Sequence, residues 1–357
     1  MTSKERQYPA LDLLRLVAIG MTLLVHAPNL SGRIPLLRNI QGGLFLGVDL
    51  FMLISGWLLG GQLIREHQAG NYDVRRFYLK RWMRTLPPYY ATLILIWVLG
   101  RVNLLPRFEH AWTHFTFLQE YLGTQRFGVS WSLCVEEHFY LILPAIVPLL
   151  LRRGSAFRLA FLLLAISLFQ VGIRLTVFHP GMDVPTITHL RSEGLFIGLG
   201  MAYLAHTAPE CWAGLTKKCT WGFLLGGSLT LAVMLSATRS PGLWLYAFVP
   251  TLGTWTLALA FPAFISPFSK LSRIEFKGLP YLGELTYSVY LTHTLVTPLL
   301  ANTLALGGAL GLITRFLAMV VVSVSLHHLI ERPAMFLRKK WLSLYPGKQV
   351  VSNPEVA

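Results

Sequence analysis

A histidine and two adjacent glutamates are the side chains best suited to acid–base chemistry in this 357-residue chain. His26 lies at the end of one apolar segment, and Glu136 and Glu137 lie near the start of another, SWSLCVEEHFYLILP. A carboxylate beside an imidazole fixes its tautomer, so that the free ring nitrogen can take a proton from a hydroxyl. The sequence predicts a His26–Glu136 general-base pair, with Glu137 as the competing carboxylate. The alternative is a salt bridge that only joins helices.

The first apolar segment carries a polar stripe. Arg15 and His26 are eleven positions apart, which at 100° per residue places them about 20° from the same direction on a helix. Asp12 and Thr22 lie within about 40° of that direction. Because a polar stripe that faces lipid is costly, we expect it to face the protein interior. The structural alternatives are an ion pair of Arg15 with Asp12 and a hydrogen-bonded His26 at the membrane interface.

Two further segments combine polar and small residues. In YLGELTYSVYLTH, the side chains of Thr286, Tyr290 and His293 share one helical face. They could take part in catalysis or join helices through hydrogen bonds, and both interpretations stay open. In LGVDLFMLISGWLLGG, Ser55 and several glycines allow close approach by another helix or by a long, thin ligand. Close helix packing is the simpler interpretation.

The stretch RRFYLKRWMRTLPPYY concentrates positive charge immediately before an apolar segment. Its basic residues suit the phosphate groups of a ligand, and they are Arg75, Arg76, Lys80, Arg81 and Arg84. The same charges could instead mark the cytoplasmic side of a membrane helix or bind anionic lipids.

Composition requires a membrane environment. Hydrophobic residues make up 54% of the chain and charged residues 13%, against about 25% charged residues in a soluble domain. Long apolar stretches predict an all-α integral membrane protein with about ten transmembrane helices, at 10–28, 43–64, 86–101, 131–151, 157–178, 188–206, 220–238, 243–266, 280–301 and 310–331. The net charge of +15 is spread over short loops, which argues against nucleic-acid binding. Three cysteines without metal-ligand spacing predict no metal site.

Loop charge predicts the orientation of these helices. If the N-terminus is cytoplasmic, 21 of the 31 lysines and arginines fall in cytoplasmic loops, six fall in exterior loops and four fall within spans. Positive charge accumulates on the cytoplasmic side of membrane proteins. Both termini are therefore predicted to be cytoplasmic.

The ordered set of motifs resembles the acyltransferase-3 family of membrane O-acyltransferases. The matching features are the LGVDLFMLISGWLL, SWSLCVEEHFY and YLGELTYSVYLTH segments, together with the Arg15–His26 spacing, the Arg81-x-x-Arg84 element before Pro-Pro-Tyr-Tyr, and the Glu-Arg-Pro triplet at Glu331. The resemblance covers residues 10 to 335, and the motifs occur in the family's order.

The resemblance implies transfer of an acyl group, most often acetyl, from cytoplasmic acyl-CoA to a hydroxyl of an extracytoplasmic carbohydrate or glycolipid. It implies no permanently bound cofactor, because acyl-CoA is the donor substrate. Together with the residue patterns, it gives as catalytic candidates His26, Glu136, Glu137, Arg15, Tyr290 and His293. The donor-binding candidates are Arg81, Arg84, Arg76, Lys80 and Ser55.

The resemblance also implies a multi-pass protein of the bacterial cytoplasmic (inner) membrane. Residues 1–335 would form the acyltransferase domain, and residues 336–357 a short polar cytoplasmic tail without an appended hydrolase-like domain. The rival from another class is a secondary transporter or flippase, since intramembrane Arg, Glu and His also form translocation pathways. No paired half-repeat supports it. The acceptor, the acyl group and the oligomeric state, including a homodimer, stay open.

Overall fold

The computed structural model describes residues 9–27, 34–123, 127–182, 184–240, 242–304 and 308–344. These residues form helices and connecting segments, with no strand among them. The longer helices are α1 (Ala10–Val25), α2 (Leu46–Gln68), α3 (Val74–Arg101), α4 (Ser130–Arg153), α5 (Ala156–Val177), α6 (Glu193–Thr207), α7 (Cys219–Arg239), α8 (Val249–Ala260), α9 (Leu279–Leu304), α10 (Gly308–Leu326) and α11 (Arg332–Leu344).

The all-α class is confirmed, and each predicted span overlaps helical segments of the described chain. Six stretches of the described chain are long and apolar enough to cross a membrane: Leu46–Gln68, Ser130–Arg152, Ala156–Val177, Cys219–Arg239, Trp244–Ile265 and Ile313–Leu344. Helix α1 has 16 residues and α6 has 15, fewer than the roughly 20 that a bilayer usually requires. The chain is a multi-pass helical membrane protein, whereas the count of ten spans and the orientation stay predictions.

Helix α2 packs closely against its neighbours because glycines replace bulkier side chains along it. A Cβ atom on Gly47 would lie 2.6 Å from the carbonyl oxygen of Ala18 in α1. A Cβ atom on Gly56 would collide with the carbonyl oxygen of Leu195 in α6. Small residues allow this backbone approach, which drives helix association where lipid supplies no hydrophobic force. The predicted close packing of this segment is confirmed.

Helix α3 begins well before the predicted span at residue 86. The side chain of Asp73 accepts a hydrogen bond from the backbone N–H of Arg76 at 3.1 Å and caps the helix. The helix continues through Pro87 and Pro88 to Arg101. The basic stretch is therefore helical and continuous with the third span, rather than a loop before it, and this fixes the direction of each basic side chain.

The last helices form one continuous rod. Helix α10 passes through a π-helical turn, His327–Glu331, into α11, which extends to Leu344. The predicted domain boundary at residue 335 therefore falls inside a helix. The remaining predicted tail, residues 345–357, lies outside the described residues.

Candidate active site

One cavity of about 410 Å³ lies among α1, α2, α3, α4 and α9, with one contribution from α6. Its lining follows α2 from Val48 to Arg65, a helical distance of about 26 Å at 1.5 Å per residue. A long, narrow ligand could therefore lie along α2. The sequence-predicted residues that line the cavity are Arg15, Ser55, Arg81, Arg84, Glu136 and Tyr290.

The two ends of this cavity differ in charge. One end, which we name the basic end, is lined by Arg15, Arg65, Arg84 and His206, and the lining of the cavity also includes the carboxylates of Asp12 and Glu284. Arg15 donates to the Asp12 carboxylate at 2.6 Å, as the local ion-pair alternative predicted. Arg84 has no hydrogen bond or ion pair with any described residue. A half-buried guanidinium without a carboxylate partner favours binding of an anion.

Arg65 and His206 are site residues that the sequence analysis missed. The Arg65 guanidinium donates to Nε2 of His206 at 3.2 Å, joining α2 to α6. Trp57, Gly61 and Arg65 all line the cavity, and their i, i+4, i+8 spacing is a sequence signal that marks this face of α2. His206 has no comparable signal, because only the packing of α6 against α2 brings it to Arg65.

Arg81 has partners within the protein, whereas Arg84, its partner in the predicted phosphate clamp, has none in the described chain. Its guanidinium donates to Glu136 at 3.2 Å and also to the hydroxyl of Tyr140, and it lies 4.2 Å from the centroid of the Tyr140 ring. The Tyr140 hydroxyl in turn donates to Glu136. These three side chains form a closed network in the wall of the cavity. Arg81 lines the cavity and keeps Nε without an acceptor in the described chain, and Arg84 has no partner there at all.

The structure does not pair His26 with Glu136. Glu136 is bound by Arg81 and Tyr140, as described, whereas Nδ1 of His26 lies 2.9 Å from the carbonyl oxygen of Thr22. An i, i+4 turn of α1 thus satisfies His26 locally. The sequence could place both residues near one membrane face, but it could not show that an arginine 55 positions before Glu136 pairs with it.

The other predicted carboxylate and two basic residues also lie outside the cavity lining. Glu137 is 4% exposed and accepts hydrogen bonds from the Thr85 hydroxyl at 3.0 Å and the Trp82 indole at 3.1 Å. Lys80 donates to Glu66 at 2.6 Å. Glu137 and Lys80 therefore join helices, and Arg76 lies in the first turn of α3.

At the other end of the cavity, the structure brings three predicted catalytic residues together. The hydroxyls of Tyr290 and Ser132 are 2.6 Å apart, and both residues line the cavity. The rings of Tyr290 and His293 have centroids 5.7 Å apart, and those of His293 and His26 are 4.9 Å apart. His293 is 4% exposed, whereas His26 is exposed at the end of α1. Tyr290, His293 and His26 therefore form a continuous row of side chains from the cavity to the protein surface.

Backbone carbonyls assign the tautomers of both histidines. Nδ1 of His26 faces the Thr22 carbonyl, and Nδ1 of His293 faces the Tyr290 carbonyl at 2.7 Å. A carbonyl oxygen can only accept, so in each neutral ring Nδ1 carries the proton and Nε2 carries the lone pair. Each neutral ring thus presents an unprotonated Nε2. The tautomer-fixing role predicted for Glu136 belongs to backbone carbonyls.

The connection between α3 and α4 packs against the middle of α3 and against the connection that follows α5. The Tyr89 hydroxyl donates to the carbonyl oxygen of His114 at 3.1 Å, and the Thr186 hydroxyl donates to Glu120 at 2.6 Å. Burial lowers the pKa of the His114 imidazole to about 4 and raises the pKa of the Glu120 carboxyl to about 7. This segment is therefore folded onto the bundle, and its protonation responds to pH.

No group of three His, Cys, Asp or Glu side chains arranged for a metal ion occurs in the described part of the chain. The fold and the cavity define a class: a multi-pass helical membrane protein with a long cavity that is cationic at one end and carries tyrosine, serine and histidine at the other. Comparison with known families gives the particular one. The model for the acyltransferase domain of the acyltransferase-3 family matches residues 8–329, and the chain belongs to this family.

Individual relatives agree with this assignment. A peptidoglycan O-acetyltransferase of Listeria monocytogenes is 24% identical over 85% of this chain and 52% of its own length. A Bacillus subtilis protein named "Putative peptidoglycan O-acetyltransferase" is 24% identical over 93% of this chain and 55% of its own. A Staphylococcus aureus protein named "Putative O-acetyltransferase" is 27% identical over 56% of this chain and 35% of its own. The chain thus spans between about a third and about half of these curated relatives. No solved structure matches it.

Proposed function

We propose that the protein is an O-acyltransferase of the bacterial cytoplasmic membrane that moves an acyl group, in the first instance acetyl, from cytoplasmic acyl-CoA to a hydroxyl on an exterior carbohydrate or glycolipid. The observation that carries the proposal is the cavity. It joins arginines without carboxylate partners at the basic end to Tyr290 and Ser132 at the other end, beside two histidines with basic nitrogens.

The donor would enter at the basic end, which the proposal places in the cytoplasm. CoA carries a diphosphate and a phosphate monoester, and these anions stay out of hydrocarbon. Arg84 would bind the diphosphate, and its neighbour Arg15 would add positive potential without losing its pair with Asp12. The uncharged pantetheine arm would lie along α2 past Ser55, and the thioester would reach Tyr290.

The acceptor would approach from the opposite side, where His26 is exposed. Nε2 of His26 takes the proton of the acceptor hydroxyl as the oxygen attacks the thioester carbonyl. The carbon–sulfur bond breaks, an ester forms, and the thiolate of CoA leaves and takes up the proton. The buried His293 lies between His26 and Tyr290 and supports the imidazolium from its own basic nitrogen or relays the proton.

The curated relatives suggest which acceptor to test first. Two of them carry names that specify peptidoglycan. A muropeptide or a lipid-linked peptidoglycan precursor offers sugar hydroxyls at the outer face of the membrane. We therefore propose a peptidoglycan-type sugar as the first acceptor class.

The test is acetyl transfer by the purified protein, measured from labelled acetyl-CoA to a muropeptide acceptor, together with CoA affinity. His26→Ala should retain CoA affinity and lose transfer by about 10²-fold or more. His179→Ala, at an exposed histidine in the connection after α5, is the matched control and should transfer at the wild-type rate. Wild-type transfer by His26→Ala would refute the mechanism, and failure of the wild type to bind CoA would refute the proposed donor.

A further inference from the structure

We propose that Arg65 and His206 form a separate subsite that binds the 3′-phosphate monoester of CoA, while Arg84 binds the diphosphate. This inference rests on the proposed acyl-CoA donor and deepens it. It assigns recognition of the donor's most distal charged group to two residues on α2 and α6, outside the Arg81-x-x-Arg84 element.

The charged residues that line the cavity are four arginines and three carboxylates. Arg15 pairs with Asp12, and Arg81 pairs with Glu136. The other two arginines, Arg65 and Arg84, form no ion pair within the described residues, so the third carboxylate, Glu284, is not bound to either of them. Two guanidinium groups without ion-pair partners on different walls of one cavity fit a ligand that carries two separate anionic groups.

Glu66 follows Arg65 directly in the sequence, yet it does not neutralise Arg65. Its carboxylate accepts from Lys80 at 2.6 Å and from Gln62 at 2.9 Å. This pair ties α2 to α3 next to the cavity and leaves the Arg65 guanidinium to His206. The partner of Arg65 is therefore a neutral ring that accepts through Nε2, so that Nδ1 carries the proton and can donate to an anionic ligand.

The two arginines without ion-pair partners lie at different depths in the cavity. Arg65 lies three residues before the end of α2 at Gln68, and His206 lies one residue before the end of α6 at Thr207. Arg84 lies ten residues into α3, about 15 Å along the helix from its start at Val74. The pair thus lies at the rim, and Arg84 lies deeper. In CoA, the diphosphate connects to the pantetheine arm and the 3′-phosphate lies on the far ribose, so the deeper arginine matches the diphosphate.

Arg65 and His206 are already held together at the rim before a ligand binds. A Cβ atom on Gly61 would lie 3.3 Å from both Nη1 of Arg65 and Nε2 of His206, so the two groups occupy the space that this glycine leaves. The side chain of Gln68 donates to the backbone carbonyl of His206 at 3.3 Å and anchors that turn. The guanidinium keeps further N–H groups for a phosphate in a fixed, planar geometry.

The test compares the affinities of CoA and 3′-dephospho-CoA for the full-length protein in detergent by isothermal titration calorimetry. The wild type should prefer CoA by roughly 10- to 100-fold, the range expected when charge-assisted hydrogen bonds are lost. Arg65→Gln and His206→Gln should each remove most of this preference and leave the affinity for dephospho-CoA nearly unchanged. Arg84→Gln should weaken both ligands by similar factors and keep their ratio.

Controls separate this inference from the proposed function and from lipid binding. Arg239→Gln, at an exposed arginine at the end of α7, should keep the wild-type ratio. Gly61→Ala should reduce the ratio by crowding the pair, and it provides a second variant if Arg65→Gln does not fold. An unchanged ratio in the folded rim variants overturns the subsite. If adding phosphatidylglycerol abolished the wild-type preference for CoA over dephospho-CoA, the rim pair would be assigned to a lipid headgroup. That result would also overturn the 3′-phosphate subsite.

Discussion

Two groups of arginines lie within the same helical bundle, and they differ in where their guanidinium groups find partners. Arg174 is fully buried between α5, α6 and α8, and each of its N–H groups has an acceptor in the protein. Arg84 lies on the wall of the cavity and has no such acceptor in the described chain. The N–H donors of Arg174 are all satisfied within the protein, whereas those of Arg84 remain available to a ligand.

The buried hydrogen-bond network around Arg174, which we name the sealed network, includes further charged side chains. Arg174 pairs with Glu193 at 2.8 Å, and the Thr251 hydroxyl also donates to Glu193. Nearby, Arg191 pairs with Asp49 through two nitrogens at 3.0 and 2.6 Å. These buried pairs hold α5, α6 and α8 to α2, behind the wall of the cavity. They replace hydration with internal hydrogen bonds, which is the condition for keeping charge inside a membrane protein.

The comparison shows that a charge within a membrane helix does not by itself indicate function. Arg15, Arg174 and Arg191 look equivalent in the sequence, since each interrupts an apolar segment. Only the number of guanidinium N–H donors that the protein leaves without an acceptor separates a structural arginine from a binding one. The following predictions test that distinction, from the largest expected effect to the smallest.

Removing one partner of the sealed network should have the largest effect. Arg174→Met leaves Glu193 buried without its cation, and breaking a buried pair costs about 3–5 kcal/mol of folding free energy. Thermal unfolding of the detergent-purified protein should show this loss, and Arg174→Met/Glu193→Gln, which removes both charges, should recover much of it. A single variant as stable as wild type would end the claim that this network is structural.

The next effect depends on pH and concerns Glu120. Its pKa is about 7 in the folded protein and 4.5 as the ordinary value, so the folded state binds its proton more tightly. The stability it contributes is present below pH 4.5 and is lost as the pH rises to 7, by at most about 3 kcal/mol. Glu120→Gln should flatten this fall in melting temperature. The exposed Glu109→Gln is the control, and an equal fall in all three proteins would contradict the assignment.

Glycines at the two kinds of contact should respond differently to alanine. Gly56→Ala forces a methyl group into the backbone of α6 and should cost about 1–3 kcal/mol, because overpacking displaces rigid chain. Gly61→Ala meets only the ends of two side chains in the cavity and should cost less. Chemical denaturation of both variants measures the difference. Equal losses would mean that the face of α2 along the cavity is packed as rigidly as its face toward α6.

The smallest effect on stability should come from Arg84→Gln, since Arg84 has no partner to lose among the described residues. We expect a change of less than about 0.5 kcal/mol in unfolding free energy. The affinity for CoA should fall, and the remaining affinity should depend less on salt. Arg81→Gln is the informative contrast, because it leaves Glu136 and Tyr140 without their cation. If Arg84→Gln destabilises the protein as much as Arg81→Gln, the two arginines are both structural.

The sequence by itself determined where the helices lie and which residues are unusual within them. Apolar length and hydropathy fixed the segments, because a backbone in lipid must satisfy its own hydrogen bonds. Helical periodicity correctly related Arg15 to Asp12, since residues three positions apart are neighbours on any helix. The glycines of α2 likewise indicated close packing. These are local properties, and they do not depend on which helices pack together.

The tertiary structure decided how the chemical groups pair. Glu136 accepts from Arg81 rather than from His26, His26 lies beside His293 from α9, and Arg65 finds a partner 141 positions away in His206. Such contacts depend on which helices are neighbours and how each is rotated, which hydropathy does not encode. The sequence therefore supplied the charged groups, and the packing of the helices decided which of them remain available to a ligand.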